Sequence, residues 1–138
     1  MILCPTAKMN EAMKRIHIGH YPLGPEAVLV ILRNDLGGEI YFNSEQGLPP
    51  TIVVGGGYDK WNRVAECLHH EAMELAMARI GCRFEPAPDY SQDHGSYLFC
   101  MTHAQFSEVS ARVGSFIAMC LPDLAKQWDK HRKKLQEE

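Results

Sequence analysis

One amphipathic stretch, DKWNRVAECLHHEAMELAMARIG from Asp59 to Gly81, constrains this chain more than any other feature. Trp61, Val64, Ala65, Leu68, Ala72, Leu75 and Ala76 recur at steps of three and four residues. At about 100° per residue they fall into a single stripe, the pattern of a helix with one face in a core. Asp59 stands where an N-cap is wanted and Gly81 where a helix stops in a left-handed residue, so the expected helix runs from Tyr58 or Asp59 to Ile80.

The segments before this helix read as strands. Ala27 to Arg33 is an almost continuous apolar run, as in a central strand, and Glu39 to Asn43 is a second run. The residues NDLGG lie between them, so the pair reads as a hairpin. TIVVGGG, from Thr51, is a short third strand; its length and the preceding Pro49-Pro50 suggest a sheet edge. Upstream, residues 6–17 could form a short helix carrying Met9, Met13 and Ile16, ended by the glycines and prolines of GHYPLGPE. Downstream, CRFEPAPDYSQDHGS is a loop and YLFCMTH is a strand or an extended approach to a helix. Thr102 is a plausible cap for a helix from His103, and Pro122 would start or kink a last, charged helix. The expected fold class is α+β: a small antiparallel sheet of about three strands, packed with the long helix and C-terminal helices.

At 138 residues the chain suits one domain, 1–138, with ends expected to fray at 1–5 and 130–138. Hydrophobic residues make up 46% and charged residues 22%, which excludes a largely disordered chain. A formal net charge of −3 argues against nucleic acid or an anionic membrane as partner. Five scattered cysteines with no CxxC pair argue against a disulfide framework. No secretory leader or membrane-spanning run is apparent, so a cytoplasmic location is expected.

The chemistry-bearing residues crowd onto the long helix. His70, Glu71 and Glu74 spell His-Glu-x-x-Glu. His70 and Glu74 are one turn apart on the same face, roughly opposite the apolar stripe, and this is a spacing at which two helix residues can chelate one ion. Glu71 lies about 100° around the helix from His70.

Cys67 to Ala76 resembles the active-site helix of the zincin-like metallopeptidases, whose motif is His-Glu-x-x-His. Uncharged Ala72 and Met73 lie between the candidate ligands, apolar Leu75 follows the second, and a short strand lies just upstream. The resemblance spans about residues 50–76. It implies a Zn²⁺ site with His70 and Glu74 as ligands and Glu71 as the general base that activates water. It also implies an extended peptide substrate beside the upstream strand. The departure is Glu74, where the family has histidine. A carboxylate can bind zinc, but its extra negative charge reduces the Lewis acidity of the ion.

A third ligand would come from downstream. His103, at a helix start, is favoured over His94 in the loop, with Glu108 on the same helix as an outside candidate. Glu66 and His69 form Glu-x-x-His, the unit of di-iron bundles, but no second copy exists. Glu66, His70 and Glu74 also read as a solvent-facing ladder of i,i+4 pairs. VVGGGYDK invites a phosphate-loop reading but lacks the required lysine and hydroxyl ending. The functional expectation is a zinc-dependent hydrolase of peptide or amide bonds. The alternatives are a non-enzymatic protein-binding module, such as an adaptor or inhibitor, and a zincin-like scaffold that has lost catalysis.

Overall fold

A computed structural model describes residues 14–85 and 97–137. Among these described residues, six strands and two long helices follow one another. They are β1 (Arg15–Leu23), β2 (Glu26–Arg33), β3 (Gly38–Tyr41), β4 (Thr51–Gly55), α1 (Trp61–Ile80), β5 (Arg83–Phe84), β6 (Leu98–Phe99) and α2 (His103–Glu137). The α+β class expected from the sequence is the observed one, but the sheet is mixed. Its four strands run in the order β1-β2-β4-β3, with β2 and β4 parallel and the other two pairs antiparallel. β5 and β6 form a separate two-stranded ribbon.

Two expectations about pairing fail for one reason. β2 and β3 do not form a hairpin, because β4 lies between them and pairs with both. TIVVG is therefore a central strand and not an edge; all five of its residues are buried. A short, unbroken apolar run suits a strand covered on both faces. Pro50 does not exclude it from the centre, because it contributes only its carbonyl, which accepts from the Leu29 N–H at 3.0 Å. The edge strand is β3. The hairpin that does form joins β1 to β2 through Gly24, whose φ of 64° fits a tight reversal. Of the helix expected over residues 6–17, residues 15–17 lie in β1 and residue 14 is not helical, while residues 6–13 fall outside the described residues.

The three glycines after β4 serve close backbone docking. The Gly56 N–H donates to the Arg33 carbonyl at 2.7 Å and the Gly57 N–H to the Asp35 carbonyl at 2.9 Å. A Cβ on Gly55 would overlap the Gly37 carbonyl oxygen. The exit of β4 is thereby laid along the exit of β2, and the chain is aimed into α1.

Both helices cover one face of the sheet. Val28, Val30, Leu32, Ile52 and Val54 meet Val64, Leu68, Ala72, Leu75 and Ala76 of α1 and Val109, Val113, Phe116, Cys120, Leu124 and Trp128 of α2. Burying this much aliphatic surface, at about 25 cal/mol per Å², is the main force holding the layers together. α1 lies over β4 and β3, and α2 over β1. Trp61 and Trp128 pack with ring centroids 5.5 Å apart, and the Trp128 indole N–H donates to the Gly56 carbonyl.

The helix ends partly match expectation. Gly81 stops α1 in the left-handed region, with the Cys82 N–H returning to the Met77 carbonyl at 2.9 Å. The N-cap is Lys60, not Asp59, and it makes no side-chain capping bond. Thr102 caps α2 as expected: its Oγ1 accepts from the Gln105 N–H, while the Gln105 side chain accepts from the Thr102 N–H at 2.8 Å. α2 runs unbroken through Pro122 to Glu137, so no separate last helix forms, and His131 within the stretch expected to fray is buried. Among the described residues no helix is long and apolar enough to cross a membrane.

Candidate active site beside the edge strand

The apolar stripe of α1 faces the sheet, so the position of Glu71 on the helix brings it to the rim of the β3–α1 junction. There β3 has an outer edge with no strand neighbour among the described residues. A cleft of about 380 Å³ opens at this junction, lined by Gly37, Gly38, Tyr58, Cys67, His70 and Glu71, with Arg63 and Glu66 at its rim. Gly38 makes the close approach possible. A Cβ there would lie 2.8 Å from the Cys67 sulfur and 2.9 Å from Glu71 Oε1. Tyr58 supports the same turn, its hydroxyl accepting from the Gly37 N–H at 2.9 Å.

Glu71 is 9% exposed. Among the described residues no hydrogen bond or ion pair holds its carboxylate. Burial pushes its carboxyl above the ordinary carboxylate value, with Glu74 and Glu39 adding to the rise and His70 opposing it. A proton acceptor with a raised pKa at the wall of a cleft has the character of a general base. Cys67, beside it, is also pushed up by burial, which keeps it a thiol and argues against a nucleophilic thiolate.

His70 and Glu74 meet as the i,i+4 spacing requires. His70 Nε2 lies 3.5 Å from Glu74 Oε2; the histidine side chain is 72% exposed and the glutamate 19%. Two donors 3.5 Å apart, on metal bonds of about 2.1 Å, subtend about 110° at a shared ion, the tetrahedral angle of zinc. That separation is compatible with two donors on one ion and equally with an ordinary i,i+4 pair. Glu74 Oε1 takes a different partner, Arg83 Nη1, at 3.2 Å. A second hollow of about 410 Å³ adjoins this pair on the side away from β3, lined by His69, Met73, Met77, Tyr97 and Phe99. His70 borders both hollows.

The remaining candidates fare differently. His103 is exposed at the first turn of α2, and among the described residues no three His, Cys, Asp or Glu side chains gather as a metal-holding set. His103 therefore does not complete the His70–Glu74 pair here. Glu108 is engaged with Arg112 at 2.8 Å and Glu66 with Arg63 at 3.4 Å, both on their own helices. His94 lies outside the described residues. Sequence reasoning missed Gly38, Tyr58 and Arg83. Only Gly38 carried a local signal, the Gly37-Gly38 pair, which reads equally as a turn. Compared with family models, with curated proteins and with solved structures, the chain has no match.

Proposed function

We propose that this chain is a zincin-type, metal-dependent hydrolase of peptide or amide bonds. The observation that supports this best is Glu71: a buried carboxylate with no partner among the described residues, in a cleft beside an edge strand, adjacent to a His/Glu pair of zinc-binding span. His70 and Glu74 would hold the ion, which when bound supplies Lewis acidity toward the scissile carbonyl. Since His103 does not join them, His94 is the remaining sequence candidate for a further donor. Glu71 accepts the proton of the attacking water and passes it to the leaving amine. The outer edge of β3 offers unpaired backbone N–H and C=O groups to an extended substrate, which would add as a further strand. Gly38 keeps that backbone within reach of Glu71.

The test is turnover of a mixture of quenched fluorogenic peptides by zinc-supplemented protein. Glu71→Gln should lower the rate by at least about 10²-fold while leaving zinc content unchanged. Cleavage that survives this substitution would remove Glu71 from the mechanism.

The carboxylate at position 74 supports a second reading, a zincin-like scaffold without turnover, since a negative donor weakens the ion as a Lewis acid. On that reading zinc binds, but neither the wild type nor Glu71→Gln cuts any peptide.

A further inference from the structure

The ribbon after α1 brings together two cysteines that are far apart in the sequence. β5 and β6 pair antiparallel, with Arg83 opposite Phe99 and Phe84 opposite Leu98. One step further along this register Cys82 stands opposite Cys100. The Cys100 N–H donates to the Cys82 carbonyl at 3.0 Å, so the pairing continues to that step. Residues opposed across such a bond have Cα atoms about 5.5 Å apart and send their side chains to the same face. A disulfide spans Cα separations of about 4.4–6.8 Å. The backbone therefore already holds these two residues at a separation that a disulfide can bridge.

Both residues are anchored to the helices. Cys82 follows the left-handed Gly81, and its N–H returns to the Met77 carbonyl at 2.9 Å, at the end of α1. Cys100 comes two residues before Thr102, the cap of α2. Cys82 is buried, whereas Cys100 is exposed and open to a dissolved oxidant. The other cysteines among the described residues lie on other elements: Cys67 lines the cleft beside β3, and Cys120 is in the core on α2.

We propose that Cys82 and Cys100 are a redox-active pair, joined reversibly as a disulfide that fastens the ribbon between α1 and α2. The oxidant is a peroxide. The Cys100 sulfur attacks one oxygen of hydrogen peroxide, the O–O bond breaks, and a sulfenic acid and one water result. The Cys82 sulfur then attacks the Cys100 sulfur. The S–O bond breaks, and the hydroxyl leaves as a second water with the Cys82 proton. Two thiols are oxidised and one peroxide is reduced to two waters; a thiol reductant reverses the bond by exchange. A ribbon with two residues in each strand has little stability of its own, so a covalent tie changes how firmly it is held. Tyr97, just before β6, and Phe99, on it, line the hollow beside Glu74. The oxidation state would thus set how far that hollow can open. None of this depends on the zinc reading.

The experiment treats the reduced full chain with hydrogen peroxide, blocks the remaining thiols with N-ethylmaleimide in denaturant, and digests it with trypsin for mass spectrometry. Cleavage after Arg79, Arg83 and Arg112 gives peptides 80–83 and 84–112, each with a single cysteine. The expected product is these two peptides joined, from monomeric protein, and released by dithiothreitol. Cys100→Ser and Cys82→Ser should each lose the joined species; if the buried Cys82→Ser fails to fold, Cys100→Ser decides. The bonded chain should melt about 5–10 °C above the reduced chain, as a tie across a loop of this length implies. Folded wild type in which Cys82 and Cys100 are both blocked after oxidation overturns the proposal. So does Cys100 carried to sulfinic acid without a bond, a bond from either residue to another cysteine, or a bonded chain that melts no higher.

Discussion

Replacing Glu71 with glutamine should stabilise the fold while removing the proposed base. In the unfolded chain this carboxyl has its ordinary pKa. In the fold it sits at the wall of the cleft, 9% exposed, and burial raises its pKa, helped by Glu74 and Glu39. A raised folded pKa means that the fold favours the protonated form. The associated stability is fully present below the ordinary carboxylate range and is lost as pH rises through the raised value. At pH 7 the buried carboxylate is therefore a net cost, which an uncharged side chain of the same shape removes. Relief of such strain at functional positions is worth about 1 kcal/mol. For a domain of this size that is about 4 °C in Tm. The assay is urea unfolding with chelator present, followed by the fluorescence of the Trp61–Trp128 pair, which unfolding separates. Glu71→Gln should be more stable than wild type at pH 7, and the two should converge as pH falls below the ordinary carboxylate value of about 4.3. A variant that is less stable at pH 7, or a difference independent of pH, would refute the argument.

Two further predictions follow from backbone geometry. Gly38→Ala places a Cβ 2.8 Å from both the Cys67 sulfur and Glu71 Cγ, so these side chains must turn aside or β3 must move off α1. It should cost about 1–3 kcal/mol in thermal unfolding and lower any peptide turnover. Gly114→Ala, in mid-helix on α2 with no atom within 4 Å of the new methyl, should instead stabilise by about 0.5–1 kcal/mol, the helix-propensity difference. Thr102→Ala removes the Oγ1 acceptor of the Gln105 N–H and should cost about 1 kcal/mol, visible as a lower urea midpoint.

The sequence determined what is local. The stripe of Val64, Leu68, Ala72, Leu75 and Ala76, the stop at Gly81 and the cap at Thr102 follow from spacing and residue type, and the structure has each of them. The i,i+4 meeting of His70 and Glu74 was equally readable, because helical geometry alone delivers it. Long-range pairing was not readable. Nothing in NDLGG announces that β4 will insert between β2 and β3, and Pro50 misdirects because its carbonyl, unlike its missing N–H, is usable in a sheet. The burial of Glu71 depends on how closely β3 approaches α1, and so on Gly38, a residue far from the motif in sequence. The contact of Arg83 with Glu74 was hidden for a similar reason: it depends on a reversed chain, and the guanidinium also lies over two rings, Phe42 and Tyr97, brought from separate segments.

The central claim, that His70 and Glu74 hold one metal ion beside Glu71, is tested most directly by anomalous diffraction at the zinc edge from crystals grown with Zn²⁺. The account predicts one strong peak at bonding distance, about 2.0–2.2 Å, from both His70 Nε2 and Glu74 Oε2. That peak would be absent in His70→Ala, and its remaining ligands would identify any further donor. Crystals with no peak between these two side chains, or with the same peak in His70→Ala, would contradict it.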